Sequence, residues 1–232
     1  MATADQSGVI GFQQGASLDG PVTRDDNPAL GGIWKRVFDA TVAAVILTIF
    51  APLILFTMIA IRLSMGGSVL FGHERIGLGG RTFRCWKFRT MHSDANEILE
   101  RHLSRDQAAR AEWRRTRKLR HDPRVTPLGR VLRKYSVDEL PQLINVLKGE
   151  MSLVGPRPVI KDELVRYGPE IVRYCATRPG ITGLWQVSGR SDTTFSARVS
   201  LDARYVSQWT FSLDLGILVR TIPAVLGARG SY

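Results

Sequence analysis

The stretch Arg133-Lys-Tyr-Ser-Val-Asp-Glu-Leu-Pro-Gln-Leu-Ile-Asn-Val-Leu-Lys-Gly-Glu-Met-Ser-Leu-Val-Gly-Pro-Arg-Pro158 holds the most informative spacing in the chain. Ser136 precedes Glu139 by three residues, the interval of a helix-capping box. Pro141 has no N–H to donate and suits a first turn, where N–H groups lack carbonyl partners anyway. A helix is therefore expected to start within Ser136 to Asp138. Leu140, Leu143, Ile144 and Leu147 recur at helical spacing, and Gly149 after Lys148 is a C-terminal stop. The product is a short helix with one apolar face and an acidic pair, Asp138 and Glu139, at its positive end. Most such pairs only cap the helix and complement its dipole. Here two features point further. Adjacent carboxylates at a helix N-terminus stay ionised, as a metal-assisted nucleophile must. Downstream, Gly155-Pro-Arg-Pro158 holds Arg157 between two rigid prolines, a clamp suited to a phosphate.

Composition bounds the answer without choosing it. The 232 residues suffice for one well-buried domain, and the net charge of +11 calls for an anionic partner: nucleic acid, acidic lipid or a phosphorylated substrate. Cys85 and Cys175 make neither a metal spacing nor a disulfide framework, which fits a reducing compartment. Residues 1–32 lack periodicity and a signal-peptide pattern, and are expected to form a disordered cytoplasmic tail.

Ala40 to Ile61 is an uncharged apolar run of bilayer-spanning length. Pro52 near its middle removes a helix hydrogen bond, and neither half alone reaches across about 30 Å of hydrocarbon. Lys35 and Arg36 precede the run and Arg62 follows it, so the positive-inside rule favours one side for both ends. A re-entrant helix–break–helix and a proline-kinked single span both satisfy these residues. Val69-Leu-Phe and Phe83-Arg-Cys-Trp-Lys-Phe flank Gly77-Leu-Gly-Gly80 and predict a β-hairpin with a glycine turn. No helix pattern follows that turn, so a dinucleotide fingerprint is rejected. Asp94 to Arg120 reads as one basic helix lying on anionic lipid, with Trp113 at headgroup depth. Asp162 to Tyr174 reads as a further helix, and the apolar Phe211 to Leu226 as a segment docked at the membrane.

Asp122-Pro-Arg-Val-Thr-Pro-Leu-Gly129, Ser136-Val-Asp-Glu-Leu-Pro-Gln-Leu143, Asn145 through Pro158 and Arg178-Pro-Gly-Ile-Thr-Gly183 together resemble the bacterial sugar transferases, monotopic phosphoglycosyl transferases acting on a polyprenyl phosphate. The resemblance runs from about Trp34 to the C-terminus. It implies an α+β, predominantly helical fold: a re-entrant membrane helix over 33–65, then a cytoplasmic-face catalytic domain over 66–232 with interfacial amphipathic helices and a small β-hairpin around a catalytic helix N-terminus. That family breaks its membrane helix at a Ser-Pro pair, whereas this chain has Ala51-Pro52. The resemblance further implies transfer of a sugar 1-phosphate, with galactose or glucose favoured, from a UDP-sugar to undecaprenyl phosphate with Mg²⁺. UMP would leave through a covalent phosphosugar-aspartate, at the cytoplasmic face of a bacterial inner membrane, as the first step of exopolysaccharide assembly. By carry-over, Asp138 is the nucleophile, Glu139 its partner, and both organise the metal. Lys87, Arg89, Arg133, Arg157, Arg178, Arg190 and Asp202 become candidate substrate contacts. Anionic lipid is the expected surface partner, nucleic acid is not expected, and a homodimer stays open. The rival classes are a basic membrane-attached nucleic-acid-binding protein and a non-catalytic membrane scaffold; neither explains the acidic pair or the Pro-Arg-Pro clamp.

Overall fold

A computed structural model describes residues 29–116, 118–189 and 194–227. The expectation of a disordered tail over 1–32 thus falls mostly outside the described residues. Among the described residues the fold is predominantly helical, with two two-stranded sheets.

The apolar run builds α1, Gly32–Met65, 34 residues long and apolar enough to cross a membrane by length and composition. At about 1.5 Å per residue it measures roughly 50 Å. A break at Pro52 was the expectation; the helix instead continues through it. Pro52 is solvent-exposed, and the helix carries it at the cost of one backbone hydrogen bond, the one to the Thr48 carbonyl. Only Lys35, Asp39, Ala43, Thr57 and Ile61 of α1 are buried. Those residues lie at both ends of the helix, and both ends rest on the same body. Ala43, with Phe38, Val42, Ile46 and Leu47 beside it, joins the main core of Leu143, Val146, Met151, Val154, Tyr205 and Ile217. Ile61, flanked by Ile54 and Met65, packs on Phe88 and Leu132.

Strands β1, Leu70–Ile76, and β2, Thr82–Phe88, form the expected antiparallel hairpin, with Leu70 opposite Phe88 and Ile76 opposite Thr82. The basic stretch is two helices rather than one: α2, Ala95–Arg105, and α3, Gln107–Thr116. Asp106 between them is extended, and its Oδ1 accepts from the Ala109 N–H at 2.9 Å, a local bond that starts a new helix. Thr126 caps α4, Pro127–Lys134, by accepting from the Gly129 N–H at 2.9 Å. A 3-10 turn, Val137–Glu139, and α5, Gln142–Lys148, follow, with Gly149 closing α5 in the left-handed region at φ 82°.

Beyond α5, β3 (Ser152–Val154) pairs in parallel with β4 (Gly180–Thr182). The pairing explains two glycines. A Cβ on Gly180 would sit 2.1 Å from the Gly155 nitrogen, so the Pro-Arg-Pro loop and the Arg178-Pro-Gly loop touch backbone to backbone. Between them run α6 (Lys161–Leu164), a 3-10 segment (Val165–Glu170) and α7 (Ile171–Cys175). The single helix expected over Asp162 to Tyr174 is interrupted because Gly168 turns to φ 55° ahead of Pro169. The chain ends in α8 (Leu184–Val187), α9 (Phe195–Ser207) and α10 (Phe211–Leu226).

A buried polar cluster welds the start of α1 to the body. Lys35 Nζ donates to Asp214 Oδ2 at 2.5 Å and lies 3.9 Å from Asp39. Asp214 also accepts from Tyr205 Oη at 2.7 Å and Trp209 Nε1 at 3.0 Å, while Asp39 accepts from Ser152 Oγ at 2.7 Å. Arg36 extends the weld by donating to the Val146 and Leu147 carbonyls, both at 2.6 Å, at the negative end of α5.

Candidate active site

Ser136 does not cap a helix. It sits in the left-handed region at φ 54°, the one non-glycine with positive φ among the described residues, and makes no side-chain cap bond. For an L-residue that conformation costs about 1–2 kcal/mol. The turn it forms separates α4 from the short 3-10 segment, so the acidic pair rides on a strained bend and α5 begins only after Pro141. Glu139 is free of the capping role because Lys87, reaching in from β2, donates to its Oε1 at 2.5 Å. The Gln142 side chain also hydrogen-bonds Glu139.

The two carboxyls diverge. Asp138 is buried, Glu139 half-exposed. Burial, and then the Glu139 charge, push Asp138 up to about 6. Burial also opposes ionisation of Glu139, but the Lys87 charge and hydrogen bond, with Arg157 behind them, hold it below the ordinary range. At neutral pH both are therefore ionised, Asp138 being the more basic of the pair. Arg133 faces Asp138 electrostatically and is steadied by its Nε, which donates to Thr90 Oγ1 at 3.0 Å. The Asp122-Pro-Arg motif is internal scaffolding. Arg124 Nε and Nη2 meet Asp122 at 2.8 and 2.7 Å, and its guanidinium covers the Trp113 ring at 5.0 Å. Trp113, expected at headgroup depth, is half-buried under that cation.

Glu139 and Lys87 open onto a cavity of about 730 Å³. Arg157 lines it as well, and Asp138 lies just behind the wall. Three further cations face the same space: Arg75 and Arg198, which the sequence does not single out, and Lys118, expected on anionic lipid within the basic stretch Asp94 to Arg120. Glu163 joins two of the five, at 3.6 Å from Arg75 and 3.8 Å from Arg157. Burial and then the neighbouring Arg157 and Arg198 charges lower Lys118, the mark of cations gathered where an anion belongs. Trp185, also on the wall, lies under the Arg198 guanidinium at 4.8 Å. These residues come from β1, the segment after α3, α8 and α9, and only the fold brings them together.

The other expected contacts stand elsewhere. Asp202 is buried beneath the clamp: it accepts from Tyr167 Oη at 2.9 Å and from the Arg157 backbone N–H, and burial pushes it up to about 7. It positions Arg157 rather than lining the cavity. Arg178 donates from Nε to the Gly149 carbonyl at 2.8 Å, beside Arg36, and is not on the cavity wall. The Arg89 guanidinium lies near Gly67, also off the wall. Arg190 falls outside the described residues.

A family model described as bacterial sugar transferase matches residues 30–228. The chain belongs to that family. Among its relatives is the exopolysaccharide production protein ExoY of Rhizobium meliloti (strain 1021), 53% identical over 203 residues, covering 88% of this chain and 90% of the relative. The undecaprenyl-phosphate galactose phosphotransferase of Salmonella typhimurium (strain LT2) is 48% identical over 198 residues, 85% of this chain and 41% of that longer protein. The UDP-glucose:undecaprenyl-phosphate glucose-1-phosphate transferase of Caulobacter vibrioides is 41% identical over 208 residues, 85% of this chain and 72% of the relative. This sugar transferase is an enzyme whose Glu139, basic hairpin lysine and Pro-Arg-Pro clamp meet at one cavity.

Proposed function

We propose that the enzyme transfers a hexose 1-phosphate from a UDP-sugar to undecaprenyl phosphate. The observation that carries this reading is the cavity itself, which sets Glu139, with Asp138 next to it in the chain, against five cations. Phosphoryl transfer depends chiefly on positioning and charge neutralisation, and a carboxylate nucleophile divides one hard displacement into two. The names of the Salmonella and Caulobacter relatives supply the substrate classes.

Asp138 attacks the sugar-bearing phosphorus. A carboxylate–phosphorus bond forms, the bridging oxygen–phosphorus bond breaks, and UMP departs with that electron pair. An oxygen of undecaprenyl phosphate then attacks the same phosphorus, returning the carboxylate and yielding the lipid diphosphate sugar. Glu139 takes the acceptor's proton where it carries one. Lys87 holds Glu139, and Arg157, Arg75 and Arg198 neutralise the donor diphosphate. Two adjacent carboxylates, one of them on the wall of an open cavity, also fit Mg²⁺, which needs only one or two carboxylates besides phosphate and water. Asp138 and Glu139 would hold it. When bound, it supplies neutralisation of the developing phosphate charge.

The placement of α1 supports attachment to one side of the membrane, at the cytoplasmic face in this reading. Arg36 at one end and Met65 at the other both bear on the same body, Met65 through a 3.8 Å contact from Thr126 Oγ1 to its sulfur. A helix crossing the bilayer would part those ends by about 30 Å of hydrocarbon. The decisive experiment incubates the full chain with a panel of UDP-sugars and Mg²⁺, then quenches in acid. UMP release and a hexose-phosphate mass on the peptide carrying Asp138 are expected. Steady turnover without any adduct, and with both substrates required together, would exclude the covalent route.

A further inference from the structure

The cavity is not uniformly charged. One end holds Lys87, Glu139 and Arg157; the other runs out between α1 and α10 and is walled by hydrocarbon. From α1 come Ile46, Phe50 and Leu53; from α10 come Leu218, Ile222 and Val225. Each set is spaced i, i+4, i+7, so each is one face of its helix, and the two faces line one space. Thr221, the polar residue of α10 on this wall, is already committed. Thr221 Oγ1 lies 2.8 Å from Thr182 Oγ1 and donates to the Ile217 carbonyl at 2.8 Å. Phe50, Leu53 and Ile222 nonetheless stay 41%, 38% and 61% exposed, which leaves apolar surface uncovered.

We propose that this apolar arm holds the first isoprene units of the acceptor, so that the gap between α1 and α10 is the site that recognises a polyprenyl chain. The inference rests on the transferase reading above and adds to it the place and the residues of lipid recognition. Its argument is the polarity gradient along one continuous cavity. An amphiphile with a phosphate head and a hydrocarbon tail matches both ends at once, whereas a nucleotide or a sugar would strand its hydroxyls against the arm. Ile49 and Phe56 of α1 and Val219 of α10 are further exposed apolar residues on the two helices that wall the arm. The occupant is therefore a single-chain lipid phosphate drawn from the membrane, its phosphorus delivered beside Glu139.

The test separates donor chemistry from acceptor recognition. Leu218→Trp and Ile222→Trp fill the arm without touching a charged residue. Exchange of labelled UMP into UDP-sugar needs no acceptor and is expected to stay at the parent rate. The KM for undecaprenyl phosphate should rise roughly tenfold, the loss expected from displacing about two buried methylenes. With geranyl phosphate, whose tail is too short to use the arm fully, KM should move much less. An equal rise for both acceptors, or no rise for either, overturns the proposal. Should the tryptophan variants lose exchange as well, photolabelling of the unaltered chain decides instead. A benzophenone-bearing polyprenyl phosphate should label peptides spanning 46–53 and 218–225, and undecaprenyl phosphate should compete. Equal competition by phosphatidylglycerol, or labelling elsewhere, makes the arm a general lipid crevice and defeats the inference. Absence of UMP exchange in the parent enzyme would instead defeat the covalent route, and absence of any turnover with both substrates the transferase reading, while leaving the photolabel to judge the arm.

Discussion

Two clusters in this protein have the same ingredients, one lysine and two carboxylates, with a lysine–carboxylate contact of 2.5 Å in each. Lys35, Asp39 and Asp214 are sealed, with Lys35 and Asp214 side chains 4% and 1% exposed. Both Asp214 oxygens and both Asp39 oxygens are taken by donors. Lys87 and Glu139 are 36% and 34% exposed, and the turn carrying them is strained at Ser136. The first cluster has every charge answered from within and holds α1 to the body. The second leaves ionised groups facing a cation-lined space. Ionised side chains alone mark neither structure nor chemistry; what separates the two is whether the protein itself completes them.

The sharpest way to break that contrast is to make the same substitution in both clusters. Asp138→Asn should lower UMP release by about a thousandfold or more, because the amide cannot act as the nucleophile. It should also melt higher than the parent at pH 7.5. The reason is the sign of the shift: Asp138 is raised from an ordinary 3.8 to about 6, so its contribution to stability is present below 3.8 and lost as pH rises through about 6. Asparagine never ionises and escapes that loss; the advantage should vanish toward pH 4. Asp214→Asn should do the reverse, costing about 3–5 kcal/mol in unfolding because Lys35 is left buried without its main partner. Fluorescence melts in detergent at several pH values check both. An unchanged melt for Asp214→Asn would remove the distinction between the clusters.

A smaller effect sharpens the boundary of the open cluster. Arg75→Ala and Arg198→Ala should each raise the KM for UDP-sugar about tenfold, as charge-assisted contacts of ordinary strength would give. Arg178→Ala, on the Gly149 carbonyl, should move the melt more than the KM. The opposite ranking would put Arg178 in the site. The smallest change is with pH. kcat/KM should fall as pH drops through about 6, since the acidic pair must lose its last proton to react, and should vary little between pH 7 and 8.

Much of this arrangement is visible in local sequence, and the part that is not has a common cause. Alternation around Gly77–Gly80 suffices for the hairpin, and apolar length for α1, because both signals lie within one element. The acidic pair and the Pro-Arg-Pro clamp stand out for the same reason. The capping box fails because Glu139 is claimed by Lys87, 52 residues away, and not by its own backbone neighbours. Arg75 and Arg198 sit in unremarkable stretches and Lys118 in one expected to face anionic lipid; nothing local tells a cation facing a cavity from one facing water or lipid. Arg178 errs the other way: its motif suggests phosphate, yet a carbonyl 29 residues upstream takes its Nε. Wherever a partner lies far along the chain, spacing alone does not reveal it.

Arg36 gives the membrane helix a mechanical role. By gripping the final carbonyls of α5, whose opposite end adjoins the acidic pair, it turns α1 and α5 into one rigid lever. Bilayer thickness acts on apolar helices by tilting them. A tilt of α1 in a thinner or thicker membrane would then move the acidic pair with it, changing its height above the headgroups.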